Sequence, residues 1–182
     1  AGSGCGFSVE SDLVSRLPRV KKQKRGAKAI PVVEDTTEGW CDALQVGLRT
    51  WFGGRDVEFD DRHVRPAGTR LKTKGGLASG PEPLRDLLAF VRDTVLKAQG
   101  RRLTDLECHD ICCKIAKIVQ VGGVRRASTI SLSDLASENM RKAKHGDWWV
   151  EHQHRAMANN SSVYTKRPDI YTFMAEFKAL VD

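Results

Sequence analysis

Apolar positions recur at helical spacing in four stretches of the chain. Trp40, Leu44, Leu48 and Trp51 follow a capping-box pair, Asp35 with Glu38, and the pattern stops at Gly53-Gly54. Leu84, Leu87, Leu88, Val91 and Val95 form an amphipathic stripe that ends at Gly100. Thr104 with Glu107 is a second capping box, opening a helix through Ile111, Ile115, Ile118 and Val119 that Gly122-Gly123 closes. Pro168 suits the first turn of a last helix, with Ile170, Phe173, Met174, Phe177 and Val181 on its buried side.

Alternating patterns are fewer. Val57 and Phe59 alternate with acids, and Ser128, Ile130 and Leu132 alternate as a second short strand. Residues 1–9 read as a glycine-rich turn leading into Phe7-Ser8-Val9. The basic stretch between Pro18 and Pro31 reads as a surface loop, and Arg65 to Pro83 as an irregular loop rich in glycine and proline. Helices alternating with short strands predict an α/β fold. The convincing strands are too few for a self-contained sheet or barrel, so part of a sheet is expected to lie outside this stretch.

Composition narrows the class without naming a function. Of 182 residues, 40% are hydrophobic, and 30 Lys plus Arg against 23 Asp plus Glu leave a net charge of +7. No apolar run approaches the roughly 20 residues of a membrane-spanning helix, and no secretory leader is visible. The five cysteines, Cys5, Cys41, Cys108, Cys112 and Cys113, are odd in number and crowded. That is a poor disulfide framework and points to a reducing cytoplasm.

Two basic glycine loops carry the candidate chemistry. Gly122-Gly123-Val124-Arg125-Arg126 joins a capped helix to a strand, where planar guanidinium forks suit phosphate or base contacts. Residues 68–76 place Arg70, Lys72 and Lys74 between glycines in the same manner. Gly2, Gly4 and Gly6 alternate as in turns that bring backbone N–H groups to an anion, but no strand precedes them. Cys108 and Cys112 share one helix face and His109 and Cys113 another, so core packing is preferred to zinc. His145, His152 and His154 lie among Asp147 and Glu151 and read as a polar surface strand rather than a metal site. The block Lys21, Lys22, Lys24, Arg25 and Lys28 lacks interleaved aromatics and reads as a solvated loop.

Taken together, GSGCGFSVE at 2–10, DTTEGW at 35–40, VRPAGTRLKTKGGLASGPEPL at 64–84, DICCKIAKIVQVGGVRRAS at 110–128 and ANNSSVY at 158–164 resemble the adenosylcobalamin-dependent (class II) ribonucleotide reductases. The resemblance implies a ten-stranded α/β barrel, of which residues 1–182 form an internal, N-terminal-half segment with a variable, insertion-like region at about 10–60. It implies thiyl-radical reduction of ribonucleoside di- or triphosphates to 2′-deoxyribonucleotides, with adenosylcobalamin as cofactor. A deoxynucleotide effector and a thiol reductant such as a thioredoxin-like protein are implied as partners; neither a membrane nor nucleic acid is. The family's radical cysteine lies in an Asn-Pro-Cys-Gly-Glu motif that is absent here, so the segment alone is expected to be inactive.

The site residues carried over are for binding. Gly4, Cys5 and Gly6 match a turn against the substrate. Arg65, Gly68, Arg70 and Lys72 match a first specificity loop, and Gly122, Gly123, Val124, Arg125, Arg126 and Ser128 a second, lying between effector and substrate base. Gly123, Ala127-Ser128 and Cys5 depart from the usual pattern, which has Asn, Ser-Ala and a small apolar residue there. The alternative from another class is a non-catalytic nucleotide- or nucleic-acid-binding domain.

Overall fold

The computed structural model describes residues 4–24, 26–71, 76–121 and 129–181, with the side chains of 120, 121, 180 and 181 left aside. Three strands, β1 (Cys5–Ser8), β2 (Thr129–Asp134) and β3 (Ala158–Val163), form a parallel sheet in the order β1-β2-β3. The register aligns Cys5 with Thr129 and Ala158, and Phe7 with Ser131 and Asn160. Parallel neighbours need a crossover. The first carries α1 (Ser11–Ser15), α2 (Thr37–Phe52), α3 (Glu82–Lys97) and α4 (Asp105–Val121). The second carries α5 (Glu138–Arg141), α6 (Trp148–Glu151) and a 3-10 turn at Gln153–Met157, and α7 (Ile170–Val181) follows β3. The expected α/β class is present, with three parallel strands. No described helix is long and apolar enough to cross a membrane.

The core lies among the helices of the first crossover. Leu84, Leu87, Leu88, Val91 and Val95 of α3 meet Trp51 of α2, Ile111 of α4, and Val20, Val33 and Val57 from the connecting chain. Val91 and Val95 are fully buried, each contributing about 1.5–3 kcal/mol by leaving water. Gly47 is part of this arrangement: a Cβ there would stand 2.6 Å from the Trp51 ring, which folds back along its own helix. The box at Thr104 forms as expected, Thr104 N–H donating to Glu107 Oε2 at 2.8 Å and Glu107 N–H to Thr104 Oγ1 at 3.2 Å.

Several expectations are corrected. The glycine turn at the N-terminus is a strand, since Cys5 to Ser8 pair with β2. The α2 cap is Thr36, whose Oγ1 accepts from Gly39 N–H at 2.9 Å, because Asp35 is engaged by Arg65 instead. Val57 to Asp60 make only isolated parallel bridges, Ala29 with Val57 and Val32 with Asp60; Pro31 between them has no N–H to continue a ladder. Val119 is 56% exposed. The stretch holding His145, His152 and His154 is not a strand: Trp148–Glu151 and Gln153–Met157 are short helical turns.

Two faces are inverted. On β2 the serines Ser131 and Ser133 are buried, while Ile130 and Leu132 are exposed. α4 brings His109 to that buried face, where it partners Ser131. α7 forms, but Ile170, Phe173, Met174 and Phe177 are 49–65% exposed. Its polar side holds it instead: Glu176 accepts from Arg141, and the Ala179 carbonyl from His145 Nε2 at 3.2 Å. Pro168 stands before this helix, and Asp169 caps it by accepting from Thr172 N–H at 2.9 Å.

Candidate functional site

Cys5 on β1 is the register partner of Thr129, the residue that follows segment 122–128 in sequence. The glycine stretch and the start of β2 therefore meet at one end of the sheet. Gly4 and Gly6 are exposed. A Cβ on Gly6 would find its nearest neighbour, Ile130 O, at 3.9 Å, so packing does not require the missing side chain. By strand alternation Gly6 shares the open face with Ile130 and Asn159, its register partners. Bare backbone thus borders an uncovered surface.

The described arms of the first basic loop, 68–71 and 76–78, pair with each other. Gly68 N–H donates to Ala78 O at 2.9 Å, Ala78 N–H to Thr69 O at 2.7 Å, and Leu71 N–H to Gly76 O at 3.0 Å. Gly68 has φ +84°, a conformation glycine adopts freely. Arg70 is exposed beside Leu77. Arg65 is committed at the loop's root, where its Nε donates to Asp35 Oδ2 at 2.6 Å and its Nη2 to Asp35 O at 3.3 Å. Among the described residues no hydrogen bond joins this loop to the sheet. Lys72, Gly122, Gly123, Val124, Arg125, Arg126 and Ser128 lie outside the described residues.

A groove of about 240 Å³ lies between the start of α3 and the second half of α4, lined by Glu82, Pro83, Asp86, Lys114, Lys117 and Ile118. In sequence, the first loop leads into α3 and α4 leads into the second, so the groove sits at the roots of both. Lys114 Nζ donates to Asp86 Oδ2 at 2.7 Å and stands 5.2 Å from the Phe90 ring centroid.

Behind the sheet lies a buried polar network that sequence patterning did not single out as a unit. Arg155 Nε and Nη2 donate to the two oxygens of Asp110, both at 2.7 Å, and Nη1 donates to Ala143 O at 2.8 Å. His154 Nε2 is 3.2 Å from Asp110 Oδ1, with its ring 5.0 Å from that of Phe90. Burial works to raise the Asp110 pKa, but the guanidinium and the ring outweigh it and hold it down at about 2. The only signal in the sequence is an aspartate beside apolar positions of a helix.

His109, next along α4, is fully buried, with Nδ1 2.9 Å from Ser131 Oγ and Nε2 3.4 Å from Cys113 Sγ. Burial pushes this imidazole down to about 4 and the Cys113 thiol up to about 12. Both groups are neutral near pH 7, so the pair is packing rather than an activated nucleophile. No group of three or more His, Cys, Asp or Glu side chains among the described residues is placed to hold a metal ion.

No protein-family model matches the chain. Individual proteins do. The adenosylcobalamin-dependent ribonucleoside-triphosphate reductase of Lactobacillus gasseri is 30% identical across 96% of this chain, which covers 29% of that protein. The enzyme of the same name from Lactobacillus helveticus is 26% identical, again across 96% of this chain and 29% of its own length. The namesake from Euglena gracilis is 29% identical across 74% of this chain. A crystal structure of a B12-dependent (class II) ribonucleotide reductase superposes with a TM-score of 0.74 at 25% identity, covering 88% of this chain and 27% of the other. Over almost its whole length, in sequence and in fold, this chain is therefore a relative of the adenosylcobalamin-dependent, class II ribonucleotide reductases, of which it spans less than a third.

Proposed function

We propose that this chain supplies nucleotide-binding elements of a class II ribonucleotide reductase, an oxidoreductase acting in the cytoplasm on ribonucleoside di- or triphosphates. The observation that carries the reading is the register of Cys5 with Thr129. It sets the glycine stretch against Thr129, the residue that follows 122–128 in sequence, beside an uncovered sheet face. Gly4, Cys5 and Gly6 offer backbone to the substrate there. Arg70 and Lys72 of the first loop, with Gly68 shaping it and Arg65 anchoring it, bear on a deoxynucleotide effector. Gly122, Gly123, Val124, Arg125, Arg126 and Ser128 lie between effector and base. Such a relay is allosteric if both ligands bias the same loop equilibrium.

The three parallel strands are one arc of a ten-stranded α/β barrel in this reading, with 1–182 a partial barrel and about 10–60 a variable insertion. Ile130 and Leu132 then face the barrel interior. Reduction needs the radical cysteine, adenosylcobalamin and a thioredoxin-like thiol reductant in the complete enzyme, and the segment alone is inactive. The groove between α3 and α4 does not fit the cofactor: its volume of about 240 Å³ is below the roughly 300–1,000 Å³ that drug-sized ligands occupy, and a corrinoid is larger.

The test is Gly6→Ala in the complete reductase. The added methyl has room within the fold, so thermal stability should hold while KM for ribonucleotide rises about tenfold, about 1.4 kcal/mol of binding. Unchanged KM would overturn the assignment of this turn.

A further inference from the structure

The sequence presents Lys21, Lys22 and Lys24 as a solvated basic run, and the tertiary structure changes its meaning. Residues 20–24 form a strap laid across the C-terminal ends of α2 and α3. Val20 is buried at 1% exposure, its N–H donates to Arg101 O at 2.9 Å, and its carbonyl accepts from Gly100 N–H at 2.8 Å. Lys21 N–H donates to Phe52 O at 3.0 Å and Lys24 N–H to Gly54 O at 2.9 Å. Gln23 bonds across to Gln99 Oε1 at 2.8 Å and to Trp51 O at 3.1 Å. Gly54 has φ +78°, and a Cβ on it would lie 2.5 Å from Lys22 O, so glycine lets the strap approach this turn.

The strap delivers its lysines to cations already there. Arg49 and Lys97 end α2 and α3, Arg55 follows Gly54, and all six side chains are exposed. None of the six is in an ion pair among the described residues. The neighbouring acids are taken: Asp56 by Arg92 and Lys28, Glu58 by Lys28, and Glu107 by Arg101. Helix C-termini account for Arg49 and Lys97, which complement the macrodipoles. They do not account for Lys21, Lys22, Lys24 and Arg55. A surface of one sign on a backbone tied down by hydrogen bonds is preorganised for a polyanion.

We propose that this strap and the ends of α2 and α3 form a docking surface for duplex nucleic acid, contacted through its phosphates without reading bases. The inference goes beyond the reductase reading and does not depend on it. Single strands are disfavoured because no exposed aromatic lies in the patch to stack bases. An anionic membrane is disfavoured because the patch offers little apolar surface to insert: Val46 stands alone one turn before Arg49, and Ile30 and Val32 adjoin Glu34, Glu58 and Asp60.

The experiment is fluorescence anisotropy of the 182-residue chain with a labelled duplex of about 20 base pairs, from about 50 to about 200 mM salt. The proposal expects log K to fall against log salt with a slope of about −3 to −5. The triple variant Lys22→Glu, Lys24→Glu, Arg55→Glu should weaken binding at least about 100-fold at low salt and flatten the slope by about 3. The charge-matched Lys166→Glu, Arg167→Glu, Lys178→Glu should lose less than about tenfold. The neutral triple Lys22→Gln, Lys24→Gln, Arg55→Gln, checked by its melting curve, should also weaken binding. No binding at low salt would overturn the proposal, as would equal losses in the strap and control variants. So would tighter binding of a single strand, of polyglutamate or of phosphatidylserine vesicles than of the duplex.

Discussion

Arg155 grips both carboxylate oxygens of Asp110, each at 2.7 Å, and so ties the turn before β3 to the middle of α4. Arg155 is 6% exposed and the Asp110 side chain 14%, so this is an ion pair behind the sheet rather than a surface contact. Arg155→Ala should lower unfolding free energy by about 3–5 kcal/mol, because it strands a buried carboxylate. Urea denaturation would measure it. The double variant Asp110→Leu, Arg155→Met should cost less than the single one, and a double variant worse than Arg155→Ala would contradict the argument.

Acid should destabilise the fold in two stages. His109 titrates at about 4 in the folded protein against its usual 6.5, so the unfolded chain binds the extra proton between those values. Stability therefore falls as pH drops from about 6.5 to 4, each unit of the gap being worth about 1.4 kcal/mol. Asp110, held at about 2 against its usual 3.8, contributes stability above pH 4 that is lost as pH falls towards 2. Urea melts at stepped pH should show the upper stage disappear in His109→Gln. A full upper stage in that variant would place the titration elsewhere.

Gly47→Ala should run against ordinary helix propensity. Alanine in place of glycine gains about 1 kcal/mol in an unencumbered helix. Here the new methyl would meet the Trp51 ring at 2.6 Å, and overpacking of this kind costs about 1–3 kcal/mol. A net loss of stability in chemical denaturation is expected, and a gain would mean that Trp51 swings aside without penalty.

Thr36 and Asp35 should separate cleanly. Thr36→Ala removes the α2 cap and should cost about 0.5–2 kcal/mol. Asp35→Ala leaves the cap intact and frees Arg65, so proteolysis within 65–80 should rise with a smaller change in stability. Equal losses in the two variants would return the cap to Asp35.

Periodicity was enough to locate α2, α3, α4 and α7, because a 3.6-residue stripe is a local property of the chain. The Thr104–Glu107 box was legible for the same reason, as capping involves groups within one turn. The local pattern points to an Asp35 cap, but its competitor, Arg65, is distant in sequence, and a charge-assisted bond outweighs a neutral one. The stretch from His145 to His154 reads in sequence as a polar surface strand, but the burial of His154 and Arg155 depends on Asp110, on a different element.

Sequence alone determined where the chain is helical, that strands alternate with helices, and which motifs align it with a reductase. Only the tertiary structure decided which faces are covered. A repeat of apolar residues says that a helix or strand has an apolar side, but not what meets it. Thus Ile130 and Phe177 are exposed while Ser131 and His109 are buried together. The same holds for charge: Lys22, Lys24 and Arg55 become one surface only because Gly54 lets the strap lie across two helix ends.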